Sequence, residues 1–137
     1  FAKLIGESEE LEPEKLYILR TAAIVHDIGI KISEKKYGSS GGKYQEKEGP
    51  AVAEPMLCAL GYDEAVIDRV LFLIAHHHTY TGIEGEDYQI LVEADFLVNL
   101  FEDGSSRETA EKVRENIFKT KTGMKYLETL FLTERRS

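Results

Sequence analysis

"PEKLYILRTAAIVHDIG", residues 13–29, decides the fold class. Proline suits the first turn of a helix, where its missing N–H has no intrahelical partner to lose. Leu16, Leu19 and Ala23 follow at spacings of three and four, the interval at which side chains share one helical face. The next position on that stripe is His26, and Gly29 stops the helix just beyond it. Burying an imidazole is costly unless it is hydrogen-bonded or binds a metal. The residues that predict the helix therefore also ask what His26 does.

The same pattern recurs along the chain. Ile67, Val70, Leu71 and Ile74 form a stripe whose next members are His77 and His78, with Asp63 as the cap of that helix. A helix over Pro50–Leu60 ends at Gly61, and stepping back by four from Met56 through Val52 reaches Glu48. In a helix from about Tyr88 to Phe101, Leu91 leads to Asp95 and then Val98. Ser105 and Glu108 read as a capping box for a helix running to about Phe118, and a last helix ends near Phe131. The Gly- and Ser-rich stretch 37–43 reads as a long loop. "FAKLIGE", residues 1–7, reads as the last turns of a helix already under way, so residues upstream of it are expected. No stretch alternates as a strand would. The expectation is a single all-α, multi-helix domain over residues 1–137.

Composition narrows the function. A hydrophobic share of 42% and a charged share of 31% are those of a globular chain rather than a disordered one. No apolar run approaches the ~20 residues of a membrane span, and no signal-peptide pattern opens the chain. One cysteine, Cys58, excludes a disulfide framework and points to a reducing, cytoplasmic setting. A net charge of −8 argues against broad nucleic-acid or anionic-membrane binding. Residues 31–47 depart from it, with five Lys against two Glu. Lys31, Lys35, Lys36 and Lys43 in this segment either attract a small anionic substrate or form a solvated loop. The amphipathic "KYLETLFLTERR", residues 125–136, packs on the core or, as the less favoured alternative, forms a homodimer face.

Four stripes thus point His26, Glu48, His77, His78 and Asp95 inward. Each alone has a plain explanation: a hydrogen-bonded core histidine, a first-turn carboxylate, a surface acid. Together, imidazoles and carboxylates from four helices match the way bundles build metal sites. Mixed nitrogen and oxygen donors suit iron, manganese, zinc or magnesium. Asp27 joins His26 if the pair lies where the helix ends, because neighbours inside a regular helix point about 100° apart. A P-loop is excluded, since "GSSGGKY" fails the spacing and Tyr44 follows the lysine.

These residues resemble the HD-domain superfamily of metal-dependent phosphohydrolases. The match lies in "AAIVHDIGIK" (residues 22–31) and "LVEADFLVNL" (residues 91–100). The stretch from Lys47 to Gly82, "KEGPAVAEPMLCALGYDEAVIDRVLFLIAHHHTYTG", is similar to the di-metal branch that includes diadenosine tetraphosphate hydrolases. The resemblance implies an HD-like helical bundle that hydrolyses a phosphomonoester or phosphoanhydride, with a small phosphorylated substrate such as a nucleotide. It implies one or two divalent ions (iron, manganese, zinc, nickel or magnesium). His26, Asp27 and Asp95 would hold the first. His77 and His78 would hold a second or contact phosphate, with Glu48 as a further ligand and His77 favoured over His78. Asp27 would align or deprotonate the attacking water, with Lys31 beside it as a catalytic cation. Two departures stand out. Glu48 occupies the position of a family histidine, and the ligand histidine expected ahead of His26 is not in the chain, which places it in the upstream residues. The alternative function is a non-catalytic metal- or nucleotide-binding signalling domain.

Overall fold

A computed structural model describes residues 1–132, whose regular structure is all helical, with no strand among them. The chain runs α1 (Ala2–Ser8), α2 (Pro13–Val25), α3 (Ile30–Tyr37), α4 (Gly42–Ala59), α5 (Glu64–His76), α6 (Glu86–Glu102), α7 (Arg107–Asn116) and α8 (Lys121–Leu127). A π-helical turn, Glu128–Leu132, follows α8. The end of the amphipathic stretch that closes the sequence lies outside the described residues. The all-α expectation holds.

The centre of the bundle is α6. It buries residues on every side, from Asp87 to Leu100, and so has no wide polar face. Helices α1, α2 and α8 pack against it, and α5 packs between α2 and α4. Leu19, Val70, Leu73, Ile74, Leu91 and Leu97 are almost wholly shielded from solvent and form the middle of the core. Any polar side chain carried inward by α2, α5 or α6 therefore meets the others in one place.

Two boundaries differ from the sequence expectation. The basic segment 31–47 is mostly helical, because α3 occupies Ile30–Tyr37 and the loop shrinks to residues 38–41. Lys35 and Lys36 in the last turn of α3 complement its dipole, and Gly38, at φ 68°, ends it in the left-handed conformation. Helix α4 begins at Gly42 rather than Pro50, with Pro50 and Pro55 inside it. Tertiary contacts outweigh the lost ladder bonds there. The buried stripe of α4 is Gln45, Gly49, Ala53 and Leu57, with Glu48 beside it, while Val52 is exposed.

Other punctuation behaves as the sequence indicates. Gly61, at φ 82°, closes α4 with bonds from its own N–H to Cys58 and from Tyr62 to Leu57. Asp63 takes the cap position of α5, but its side chain makes no capping bond. The cap of α7 is Ser106, accepting from Thr109, so the expected Ser105–Glu108 box is displaced by one residue. Cys58 is an exposed free thiol.

Gly29 and Gly49 decide how closely α4 approaches the end of α2. A Cβ on Gly29 would lie 2.8 Å from the Gly49 backbone nitrogen, and one on Gly49 would lie 2.6 Å from Cγ2 of the buried Ile74. Gly29 is needed for this approach and not for its backbone angle, since its φ is −82°. Gly29→Ala is expected to cost about 1–3 kcal/mol in urea denaturation, because backbone rather than a flexible side chain must yield. Wild-type stability in that variant would show that α4 slides freely on the turn.

Candidate metal centre

Helix α2 ends at Val25, and residues 26–29 form a turn closed by bonds from Ile28 to Val25 and from Ile30 to Asp27. Leaving regular helix geometry lets adjacent side chains converge. His26 Nε2 lies 3.2 Å from Asp27 Oδ1 and 3.2 Å from Asp95 Oδ1, the latter supplied by α6. One donor atom from each of these three residues lies within 4.8 Å of the others, the one such group of ligand-type side chains among the described residues. The His26 and Asp95 side chains are largely buried and that of Asp27 is half exposed, so the group has a closed inner side and an open outer one. It borders a cavity of about 200 Å³ lined also by Phe1, Ala23, Leu91 and Asn99.

The proton positions test whether a cation fits. His26 Nδ1 lies 2.8 Å from the Ala23 carbonyl and must donate to it, so in the neutral ring Nε2 is bare. A bare nitrogen facing two carboxylate oxygens is repulsive unless a proton or a cation joins them. Burial pushes the His26 pKa down, but the hydrogen bond to Asp95 and the charges of Asp27 and Asp95 outweigh it, and the net shift is upward. Burial pushes Asp95 up, yet its bond to His26 and the nearby imidazoles hold it below its ordinary value. Asn99 also donates to Asp95 Oδ2 at 3.3 Å. The arrangement suits a divalent ion with nitrogen and oxygen ligands, and the negative carbonyl end of α2 adds to that field.

His77 is wholly buried, edge-on to His26 with ring centres 5.3 Å apart. Its Nδ1 donates to the Ile74 carbonyl at 2.7 Å, and its Nε2 has no hydrogen-bond partner among the described residues. Burial, with His78 adding to it, pushes its pKa down to about 4. Its ring is thus a neutral donor beside the group of three but not within it.

The His78 ring lies against that of His77, tilted by 47° with centres 4.0 Å apart, and its ring nitrogens are near Gln45 and Tyr80. Glu48 is buried and accepts from Lys36 Nζ at 2.6 Å, so the structure brings these two together and not Glu48 with the histidines. Lys31, Lys35 and Lys43 are exposed, the first two one turn apart on α3. His76 leans on Phe72, with ring centres 4.4 Å apart.

Sequence patterns missed the polar residues that hold the histidine turn. Tyr88 is buried, and its one hydroxyl hydrogen is shared between the Thr79 carbonyl and the His76 carbonyl, the latter at 2.7 Å. Arg69 grips the buried Asp87 through two bonds of 2.7 and 2.8 Å and donates to the Glu84 carboxylate at 2.7 Å, pinning the loop before α6 onto α5. Tyr80 packs on Phe96 with 40% of its surface exposed, and partial burial together with the Asp95 and Glu46 charges pushes its pKa up to about 12. Their signal was the near-continuous apolar character of α5 and α6, which leaves few polar positions facing water.

The lowered pKa of His77 has a stability consequence of definite sign. The unfolded chain takes up the proton at about 6.5 and the folded one at about 4, so acid favours unfolding. The contribution is complete above pH 6.5 and is lost as pH falls toward 4. In metal-free protein, His77→Leu should flatten the loss of stability across that window by about 2–3 kcal/mol relative to wild type, read from urea curves. Parallel pH profiles would mean that His77 is solvated.

No protein-family model, no curated protein and no solved structure matches the chain.

Proposed function

We propose that the chain is a metal-dependent phosphohydrolase of HD type, acting on a phosphomonoester or phosphoanhydride of a nucleotide or related metabolite. The observation that carries the reading is the convergence of His26, Asp27 and Asp95 on one point, with the His26 tautomer fixed so that Nε2 faces both carboxylates. These three would hold a divalent ion, with iron, manganese, zinc, nickel and magnesium all compatible with the donor set. When bound, the ion supplies a water of lowered pKa and positive charge against phosphoryl oxygens.

The chain's own residues supply the rest. Asp27 is the more exposed of the two carboxylates and accepts the proton of an attacking water from the open side. Asn99 and the Ala23 carbonyl fix the orientations of Asp95 and His26. Lys31, Lys35 and Lys43 draw a phosphorylated substrate toward an otherwise acidic protein. A second ion would rest on His77, whose buried Nε2 has no hydrogen-bond partner among the described residues. The Lys36–Glu48 pair favours a single ion. A cytoplasmic setting belongs to the same reading. No described helix is long and apolar enough to cross a membrane.

The pairing of Glu48 with Lys36 also favours a second reading, a non-catalytic domain that binds metal or nucleotide and signals through a partner. Elemental analysis of the purified protein, alongside a metal-supplemented panel of phosphomonoesters, dinucleoside polyphosphates and cyclic nucleotides, separates the two. Turnover that vanishes in Asp95→Ala supports the hydrolase. Tight nucleotide binding without turnover under every metal supports the binding domain. Neither binding nor turnover overturns both.

A further inference from the structure

The start of α4 holds the histidine turn from outside. Glu46 accepts from the His78 backbone N–H at 3.2 Å and from the Thr79 hydroxyl at 2.7 Å. Gly42 approaches so closely that a Cβ there would lie 2.8 Å from that of His78. Gln45 is buried between them, with its amide nitrogen 2.5 Å from the Ser40 carbonyl. A carbonyl only accepts, so the amide oxygen is the atom facing His78 Nε2 at 3.2 Å. That oxygen also only accepts, which puts the proton of the neutral imidazole on Nε2 and leaves Nδ1 bare. The Tyr80 hydroxyl, 3.3 Å from Nδ1, therefore donates to it.

Every bond in the row has a fixed direction, from Tyr80 to His78 to Gln45 to Ser40. In their neutral rings His26 and His77 are held the opposite way, with Nδ1 protonated by virtue of the Ala23 and Ile74 carbonyls and Nε2 bare. Adjacent histidines in one turn thus have opposite tautomers.

We infer that His78 is a positioning residue and not a metal ligand: with Gln45 it holds the Tyr80 hydroxyl at the histidine turn as a hydrogen-bond acceptor. Tyr80 packs on Phe96, the residue after Asp95. With its hydrogen committed to His78, the phenolic oxygen offers lone pairs alone. Such an atom repels phosphoryl oxygens and accepts from O–H groups, so it orients an attacking water or a substrate hydroxyl. This rests on the hydrolase reading for its chemistry, but the tautomers do not.

The test begins with the full chain carrying ¹⁵N-labelled histidine, free of metal, examined by long-range proton–nitrogen correlation spectra. His78 should show the Nε2–H pattern and His77 the Nδ1–H pattern, and Gln45→Leu should abolish the single tautomer at His78. Zinc content should be unchanged in His78→Asn and Tyr80→Phe. With p-nitrophenyl phosphate and zinc, Tyr80→Phe and His78→Ala should lower kcat about tenfold with little change in KM. His78→Asn, whose amide oxygen can replace Nδ1 as acceptor, should recover most of the loss. An Nδ1–H tautomer at His78, or zinc lost from His78→Asn, overturns the inference. If the wild-type chain hydrolyses no phosphate ester, the hydrolase reading fails by itself, and the tautomers and zinc content still decide the role of His78.

Discussion

Replacing Glu93 with leucine is expected to cost about 3–5 kcal/mol of folding stability, although Glu93 lies outside the candidate site. Its side chain has no exposed surface. One oxygen accepts from Gln89 Nε2 at 2.7 Å and from the Lys119 and Thr120 backbone N–H groups at 3.1 Å, and the other accepts from the Thr120 hydroxyl at 2.6 Å. Leucine would match its volume but leave those donors without a partner, at about 1–3 kcal/mol for each buried donor that water cannot reach. Thr120 is also the cap of α8, accepting from Gly123 at 2.9 Å, so the loss spreads to the helix that buries Leu127. Urea denaturation measures the effect, with Glu93→Gln retaining an acceptor and losing less. A leucine variant within 1 kcal/mol of wild type would mean that water satisfies the donors instead.

The same carboxylate explains Gly123. A Cβ there would lie 1.8 Å from Glu93 Oε1, so no side chain fits while Glu93 is in place. Gly123→Ala should therefore cost much less in a Glu93→Ala background than alone, a coupling that ordinary helix propensity would not produce.

How much of this was legible in the sequence depended on whether a residue's environment came from its own helix or from a neighbour. The helical stripes of α2 and α5 named His26 and His77 as inward-facing, because each continues an apolar series on one face. The stripe through Met56 and Val52 misled. The face of α4 that meets α5 runs through Gln45, Gly49 and Ala53, and Glu48 turns to Lys36 on α3. The basic segment that holds α3 reads as loop in the sequence, so Lys36 carries no signal as a partner. Pro50 looked like a helix start for a sound local reason, and the contacts that carry the helix back to Gly42 lie thirty residues away in the histidine turn. Glu93 was hidden in a different manner. Two residues before Asp95 it lies off the inward stripe and carries no signal of its own, and only the burial of α6 on all sides brings it to light.

The largest functional effect is expected at Asp95 and His26. Asp95→Ala removes one of three donor atoms and also the bond that orients the His26 ring, while His26→Ala removes the nitrogen that both carboxylates face. Loss of an outer partner of a metal ligand alone costs about 10–100-fold in affinity. Loss of a ligand from a set of three should exceed that and strip the ion during purification. The control is His76→Ala. His76 is in the same histidine run, but its ring leans on Phe72, away from the group of three, and the Tyr88 bond it receives goes to its backbone carbonyl, which alanine keeps. Elemental analysis should therefore find metal in wild type and His76→Ala and little in the other two, with all four helical by circular dichroism. Equal metal content in the three variants would mean that His26 and Asp95 are a buried ion pair joined by a proton, and that the ion, if there is one, lies elsewhere.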